Sequence, residues 1–217
     1  QRLCAEAARL PEALGPFEAT LAAIHAQVEA LATAGGGKGR RTGPAGALAD
    51  ALAELADAAT AYEADRGPLV KDLAAFVEKH GAALPATNKA QHAARQAFDP
   101  LAERLKGLAR QADLLYKFCA RAAQAAADVP RNDSAPEPDR RAPARRIKQF
   151  DDERKAAVEQ LKHAAYFHRQ IAWLQDRFPK AELVAVPGLC KAVTRKDIEA
   201  ADWSLTPGRY VGVAPPE

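Results

Sequence analysis

The sequence predicts an all-α fold: an antiparallel helical bundle or a coiled-coil-like arm of long amphipathic helices, closed by a small irregular or weakly β C-terminal segment. Three observations predict it. Apolar residues recur at spacings of three and four over the first two thirds of the chain. Alanine is the commonest residue while aromatics make up only 6%, a balance that lets helices approach at the close end of the usual range of about 8–10 Å. Short Gly/Pro breaks separate the periodic runs, which favours antiparallel neighbours.

The elements follow in order. After Gly15-Pro16, the residues Phe17, Leu21, Ile24, Val28 and Leu31 form a stripe with heptad character, and proline is expected at the first helical turn, where its missing N–H has no partner to lose. The stripe stops at Gly35, Gly36 and Gly37. Leu48, Leu52, Leu55, Ala59 and Tyr62 repeat it until Gly67-Pro68, and Leu69, Leu73 and Phe76 continue it until Gly81 and Pro85. Pro100 is expected to open the cleanest run, Leu101, Leu105, Leu108, Ala112, Leu115, Cys119 and Ala122. Helical to Asp128, that run would be about 40 Å long, which suggests an arm.

Pro130 to Pro143 carries charges and prolines without an apolar period and reads as a linker. A last long helix is expected from about Ala144 to Arg177, with the stripe Ile147, Phe150, Arg154, Ala157, Leu161, Ala164, His168, Ile171, Gln175 and Phe178. Its polar members make an imperfect coiled-coil seam that suits packing on a larger body. Beyond Pro179, Leu183–Val186 and Val211–Val213 are short β-prone runs, and Thr194 with Asp197 can cap a short helix through Ala201. The resulting division is a helical arm over 1–129, a Pro/Arg-rich linker over 130–145, and a long helix with an irregular segment over 146–217.

Charge and cysteine usage narrow the function. The 217 residues hold 31 Lys and Arg against 28 Asp and Glu, a net charge of +3, so the chain is no histone-like polycation. No apolar run approaches the roughly 20 residues of a membrane span. Cys4, Cys119 and Cys190 are odd in number and far apart, which points to a reducing, cytoplasmic setting. The chain contains no methionine and begins at Gln1, leading to the expectation of a region excised from a larger protein.

Most chemical motifs fail on spacing. The glycine loop lacks the Gly-Lys-Ser/Thr ending of a phosphate loop and follows a helix rather than a strand. His25, His80, His92, His163 and His168 include no i, i+4 pair and no cysteine partner at a zinc spacing. No nucleophile elbow occurs. No catalytic, cofactor-binding or metal-binding residue is therefore assigned. Basic clusters are the exception: Lys38, Arg40 and Arg41 in the glycine loop, and Arg140, Arg141, Arg145 and Arg146 in a stretch where Arg131 to Lys148 holds six basic residues against three acidic ones. Such arginines and lysines can contact DNA phosphates without reading sequence, or simply solvate a linker.

The most specific text lies at the end. Trp173 to Phe178 followed by Pro179, then VPGLCK (Val186–Lys191), then DWSLTPGRYVGVAPPE (Asp202–Glu217) resembles the modification subunit of type I restriction-modification systems, the adenine-N6 DNA methyltransferase family, in the region after its catalytic domain. The helix from Lys148 to Pro179 fits the same stretch, and upstream the likeness is only general. Residues Trp203, Leu205, Pro207, Gly208, Arg209 and Tyr210 carry the motif; read without the family, they make a rigid turn with two aromatic anchors that pack.

The resemblance implies a parent protein that transfers a methyl group from S-adenosylmethionine to adenine N6 in a flipped-out base. It implies a specificity subunit and DNA as partners, with a restriction subunit as a further member of the complex, and C-terminal helices that dock on the specificity subunit. The Asn/Asp-Pro-Pro-Tyr/Phe tetrad of the family does not occur in the sequence. This region is accordingly expected to bind no S-adenosylmethionine and to be inactive by itself. The alternative is that the heptad-like region from Phe17 to Asp128 is a self-associating coiled-coil module without a direct role in methylation, motivated by the unbroken seam from Leu101 to Ala122.

Overall fold

The computed structural model describes residues 1–34, 43–130 and 138–214. The elements are α1 (Arg2–Ala8), α2 (Leu10–Ala34), α3 (Pro44–His80), α4 (Asn88–Asp128), α5 (Ala142–Arg177), α6 (Arg195–Ala200) and α7 (Gly208–Val211). The described residues contain no strand, and a lone antiparallel bridge joins Val186 to Cys190. The fold is all-α.

Helices α2 to α5 form a four-helix bundle in which each long helix lies beside the next and α5 returns to α2; α1 lies between α3 and α5. Polar pairs fix the antiparallel register. Along α3 and α4, Glu54 pairs with Arg121, Asp65 with Gln111 at 2.6 Å and Asp72 with Arg104 at 2.5 Å, one sequence falling as the other rises. Between α4 and α5 the same reversal runs through Asp113–Arg154, Asp99–His168 and Arg95–Gln175.

The helices run longer than their punctuation suggests. Pro16, Pro68 and Pro100 all lie inside helices, of 25, 37 and 41 residues, rather than opening or breaking them. An interior proline removes one hydrogen bond and costs about 3 kcal/mol. The apolar stripe nevertheless continues in phase across each: Leu10 and Leu14 precede Phe17, Tyr62 precedes Leu69, and Phe98 precedes Leu101, all buried. Each fully buried aliphatic or aromatic side chain contributes about 1.5–3 kcal/mol, so continuity of the stripe outweighs a single lost bond. α4 instead begins at Asn88, capped by Thr87, whose side chain accepts from the Ala90 amide.

One core unites the helices. Phe150, Ala157, Val158, Leu161 and Ala164 of α5 are buried in the same cluster as the stripes of α1 to α4. Phe17 stacks on Phe150 with ring centroids 4.9 Å apart and meets the edge of Tyr62 at 5.8 Å. The expected separation of an arm over 1–129 from a body over 146–217 thus falls between two helices that share a core, and α5 starts at Ala142, within the expected linker. The seam Leu101, Leu105, Leu108, Ala112, Leu115, Cys119 and Ala122 is wholly buried within the chain's own bundle.

Candidate interaction surface at the C-terminal end

The core ends at Ala164; no described residue after it is buried. Among the described residues, the large apolar side chains that stay exposed are concentrated beyond that point. All but Leu84 and Leu114 lie from Tyr166 onward: Tyr166, Trp173, Leu174, Leu183, Val184, Leu189, Trp203, Leu205 and Val213. Helices α6 and α7 make no packing contact with α1 to α5.

The segment is nonetheless locally ordered. α5 closes with the Phe178 amide donating to the Leu174 carbonyl. The Pro179 carbonyl then accepts from Asn88 Nδ2 at 2.7 Å and lies 3.0 Å from His92 Nε2, which ties the chain exit to the start of α4. Val186-Pro187-Gly188-Leu189 is a tight turn with the Leu189 amide donating to the Val186 carbonyl at 3.0 Å. Gly188 holds φ +74, the left-handed conformation glycine adopts without strain. A Cβ there would lie 2.7 Å from the Ala214 amide nitrogen, and the Gly188 amide donates to Val211, so the last described residues close over the turn.

α6 carries the expected capping box. The Asp197 amide donates to the Thr194 hydroxyl, and the Thr194 amide donates to Asp197 Oδ2 at 2.7 Å. Those hydrogen bonds from Thr194, backbone first and hydroxyl second, hold the Asp197 carboxyl below the ordinary aspartate range. After α6 the backbone turns through two left-handed residues, Asp202 and Trp203. The Tyr210 hydroxyl donates back to the Ser204 carbonyl, fixing the short α7.

Two sequence expectations change here. The β-prone runs at 183–186 and 211–213 form no strand; Val211 closes α7, and among the described residues the one β-bridge is Val186–Cys190. Trp203 is not a packing anchor. It is 56% exposed, with the Arg195 guanidinium 5.5 Å from its ring centroid. Leu205 beside it is 77% exposed. Tyr210 alone of the two aromatics is tied down, and Arg209 donates to the Ala201 carbonyl at 3.4 Å. Pro207 is the N-cap of α7 and Gly208 its first residue. A second cation–π pair, Arg177 over Trp173 at 4.3 Å, sits on the last turn of α5.

The expected DNA-contacting residues fall in different settings. Lys38, Arg40 and Arg41 lie outside the described residues. Arg140 donates to the Val129 carbonyl, and Arg145 forms an ion pair with Asp139, whose carboxyl that arginine holds below its usual range. The Arg141 amide also donates to Asp139, at 2.9 Å, while its side chain is exposed. Arg146 is half-buried on the first turns of α5. Among the described residues, Arg140 and Arg145 are thus engaged within the chain itself.

No group of three or more His, Cys, Asp or Glu side chains is placed to hold a metal among the described residues, and no helix there is long and apolar enough to cross a membrane. The cysteines are free: Cys4 and Cys119 are buried, and Cys190 is half-buried beside the Val184 carbonyl. Sequence reading did not find the exposed Leu183, Val184 and Leu189 as surface. Leu183 and Val184 belong to a short β-prone run, and no periodicity there indicates which side chains face solvent.

What the fold defines is a four-helix bundle followed by a locally hydrogen-bonded C-terminal segment, a platform whose large apolar side chains are exposed. No family model, curated protein or solved structure matches the chain.

Proposed function

We propose that this chain is the C-terminal helical assembly region of the modification subunit of a type I restriction-modification system. In this reading it works in the cytoplasm, docks on the specificity subunit, helps the complex embrace DNA, and sits beside a restriction subunit where one is present. The parent protein transfers a methyl group from S-adenosylmethionine to adenine N6, and this region supplies scaffold rather than chemistry. The text of Lys148–Glu217 supports the parentage.

The observation that carries the docking function is the exposed platform after Ala164. All but Leu84 and Leu114 of the large apolar side chains left exposed among the described residues are gathered in this one segment of the chain. Tryptophan, of which it holds two, is a residue type enriched where binding energy concentrates. The capping box of α6, the Gly188 turn and the Tyr210 tie order the platform in the free chain. Docking then loses little conformational freedom. The segment leaves the bundle at Pro179, whose carbonyl is held by Asn88 and His92 of α4.

Titration of the full chain with the specificity subunit tests this. Replacing Trp203→Ala together with Leu205→Ala should weaken association at least about tenfold, since loss of a buried aromatic anchor typically exceeds 1.4 kcal/mol, with the thermal midpoint unchanged. Equal affinity for the variant overturns the docking reading. For the DNA half, charge reversal of Arg140, Arg141, Arg145 and Arg146 should flatten the salt dependence of DNA binding by the complex. An unchanged slope and affinity overturns it. The alternative of self-association through Leu101–Ala122 would require a stripe that the chain's own bundle already covers.

A further inference from the structure

The flank of α4 and α5 holds a groove of 580 Å³ that is remote in sequence from the arginines above. Lys106, Lys162, His163, His168 and Arg169 line it, with Tyr166, and Glu103 is its lining carboxylate. Most of these groups have partners. Lys106 Nζ lies 2.6 Å from Glu103, His163 lies 3.8 Å from Glu159, and His168 lies 2.7 Å from Asp99. Lys162 and Arg169 pair with no carboxylate among the described residues; Arg169 instead lies 5.7 Å from the Tyr166 ring centroid. The groove therefore carries two uncompensated cations beside an exposed phenol.

The sequence places them in a longer row. Lys148, Lys155, Lys162 and Arg169 are seven residues apart, which puts them near one face of α5 at steps of about 10.5 Å. Lys155 is neutralised by Asp151 at 2.6 Å and Asp152 at 3.5 Å. Lys148, exposed at the other end of the row, pairs with no carboxylate among the described residues, so the row's free charge sits at Lys148 and at the two cations of the groove.

We propose that the α4–α5 groove at Lys162, Arg169 and Tyr166 is a second nucleic-acid contact, taking the phosphodiester backbone of a strand. Lysine and arginine neutralise phosphates and release counterions, and a tyrosine hydroxyl is a common donor to phosphate oxygens. Two unpaired cations suit two phosphates. The cations recur at a fixed seven-residue step along α5, and a phosphodiester backbone carries its charge at regular intervals, so that backbone is the occupant. An acidic peptide, whose apolar side chains Ala165 and Ala172 could also meet, is the outcome that the polyglutamate competitor tests.

The test is binding of the full chain to a labelled random-sequence DNA duplex across a salt series, with Lys162→Ala/Arg169→Ala and Tyr166→Phe variants and polyglutamate as competitor. The double variant should weaken binding and lower the slope of log affinity against log salt by about 2, at about 0.9 per phosphate. Tyr166→Phe should weaken binding with the slope unchanged. Polyglutamate at equal charge should compete poorly. Both sites being exposed, thermal midpoints should stay fixed. An unchanged slope in the double variant, or equal competition by polyglutamate, overturns the groove. If the slope falls only in the Arg140/Arg141/Arg145/Arg146 reversal, the groove fails while the earlier DNA reading stands.

Discussion

His168 Nε2 on α5 lies 2.7 Å from Asp99 Oδ1 on α4, and the same Asp99 receives Arg95, whose Nε also donates to Gln175. Arg154 makes the equivalent contact further along, to Asp113 and Asp151, with its guanidinium 5.1 Å from the Tyr116 ring. The three polar interruptions of the α5 stripe are thus each matched by polar groups on α4. They define register, because sliding α5 by one turn would set charges against leucines. Replacing Asp99→Leu should lower the thermal midpoint by several degrees, leaving His168 and Arg95 unpaired; a midpoint within a degree of the parent would show that the pairing is decorative.

Phe150 is the central test of the shared core. It is fully buried and stacked on Phe17. Phe150→Ala should destabilise by about 3–5 kcal/mol, in a single cooperative denaturant transition. Two transitions would mean that α5 and the preceding helices unfold as separate units.

Glu18 joins α2 to α3. Its carboxylate accepts from Arg66 through both Nε and a terminal nitrogen at 2.8 Å, and from the Tyr62 hydroxyl at 3.1 Å. Burial, reinforced by the Glu18 charge, pushes the Tyr62 phenol well above its ordinary value. Glu18→Ala should cost about 1–3 kcal/mol, as a part-buried arginine and phenol lose their acceptor. A double-mutant cycle with Arg66→Ala should return a coupling of at least about 0.5 kcal/mol.

Thiol chemistry separates the cysteines. Burial pushes the Cys119 thiol up to about 12 and raises that of Cys4. Cys190 lies on the platform. A thiol reagent at neutral pH should label Cys190 in the native chain, and label Cys4 and Cys119 only in denaturant. Rapid native labelling of Cys119 would contradict the packed seam of α4.

The Asp197 cap sets a pH dependence with a defined sign. Its carboxyl is depressed below the usual aspartate value. Its contribution is therefore complete above about pH 3.9, the unfolded value, and is lost as pH falls through the depressed folded value. Amide exchange at Thr194 and Asp197 should accelerate only below that point. Asp197→Asn should remove the pH step while leaving α2–α5 protected.

How much of this was legible in the sequence depends on what each signal measures. Periodicity gave the helix faces correctly, including the polar members of α5, since buried positions must recur with the helical repeat. The Thr194–Asp197 cap was readable because its chemistry is local. Proline misled: Pro16, Pro68 and Pro100 looked like boundaries, although Leu10–Leu14–Phe17 and Phe98–Leu101–Leu105 keep phase across two of them. Which helices share a core was not readable, because that is set by contacts far apart in sequence such as Phe17–Phe150. The platform was half visible. The Trp203–Tyr210 text was distinctive, but only coordinates separate an exposed tryptophan from a packed one.

Hydrogen–deuterium exchange of the full chain, with and without the specificity subunit, probes the central claim most directly. The account predicts that added subunit slows exchange across Tyr166 to Ala214, strongest around Leu183, Leu189 and Trp203–Leu205, while the buried cores of α2 to α4 are unaltered. Protection confined to α2 and α3, or none anywhere, would contradict it.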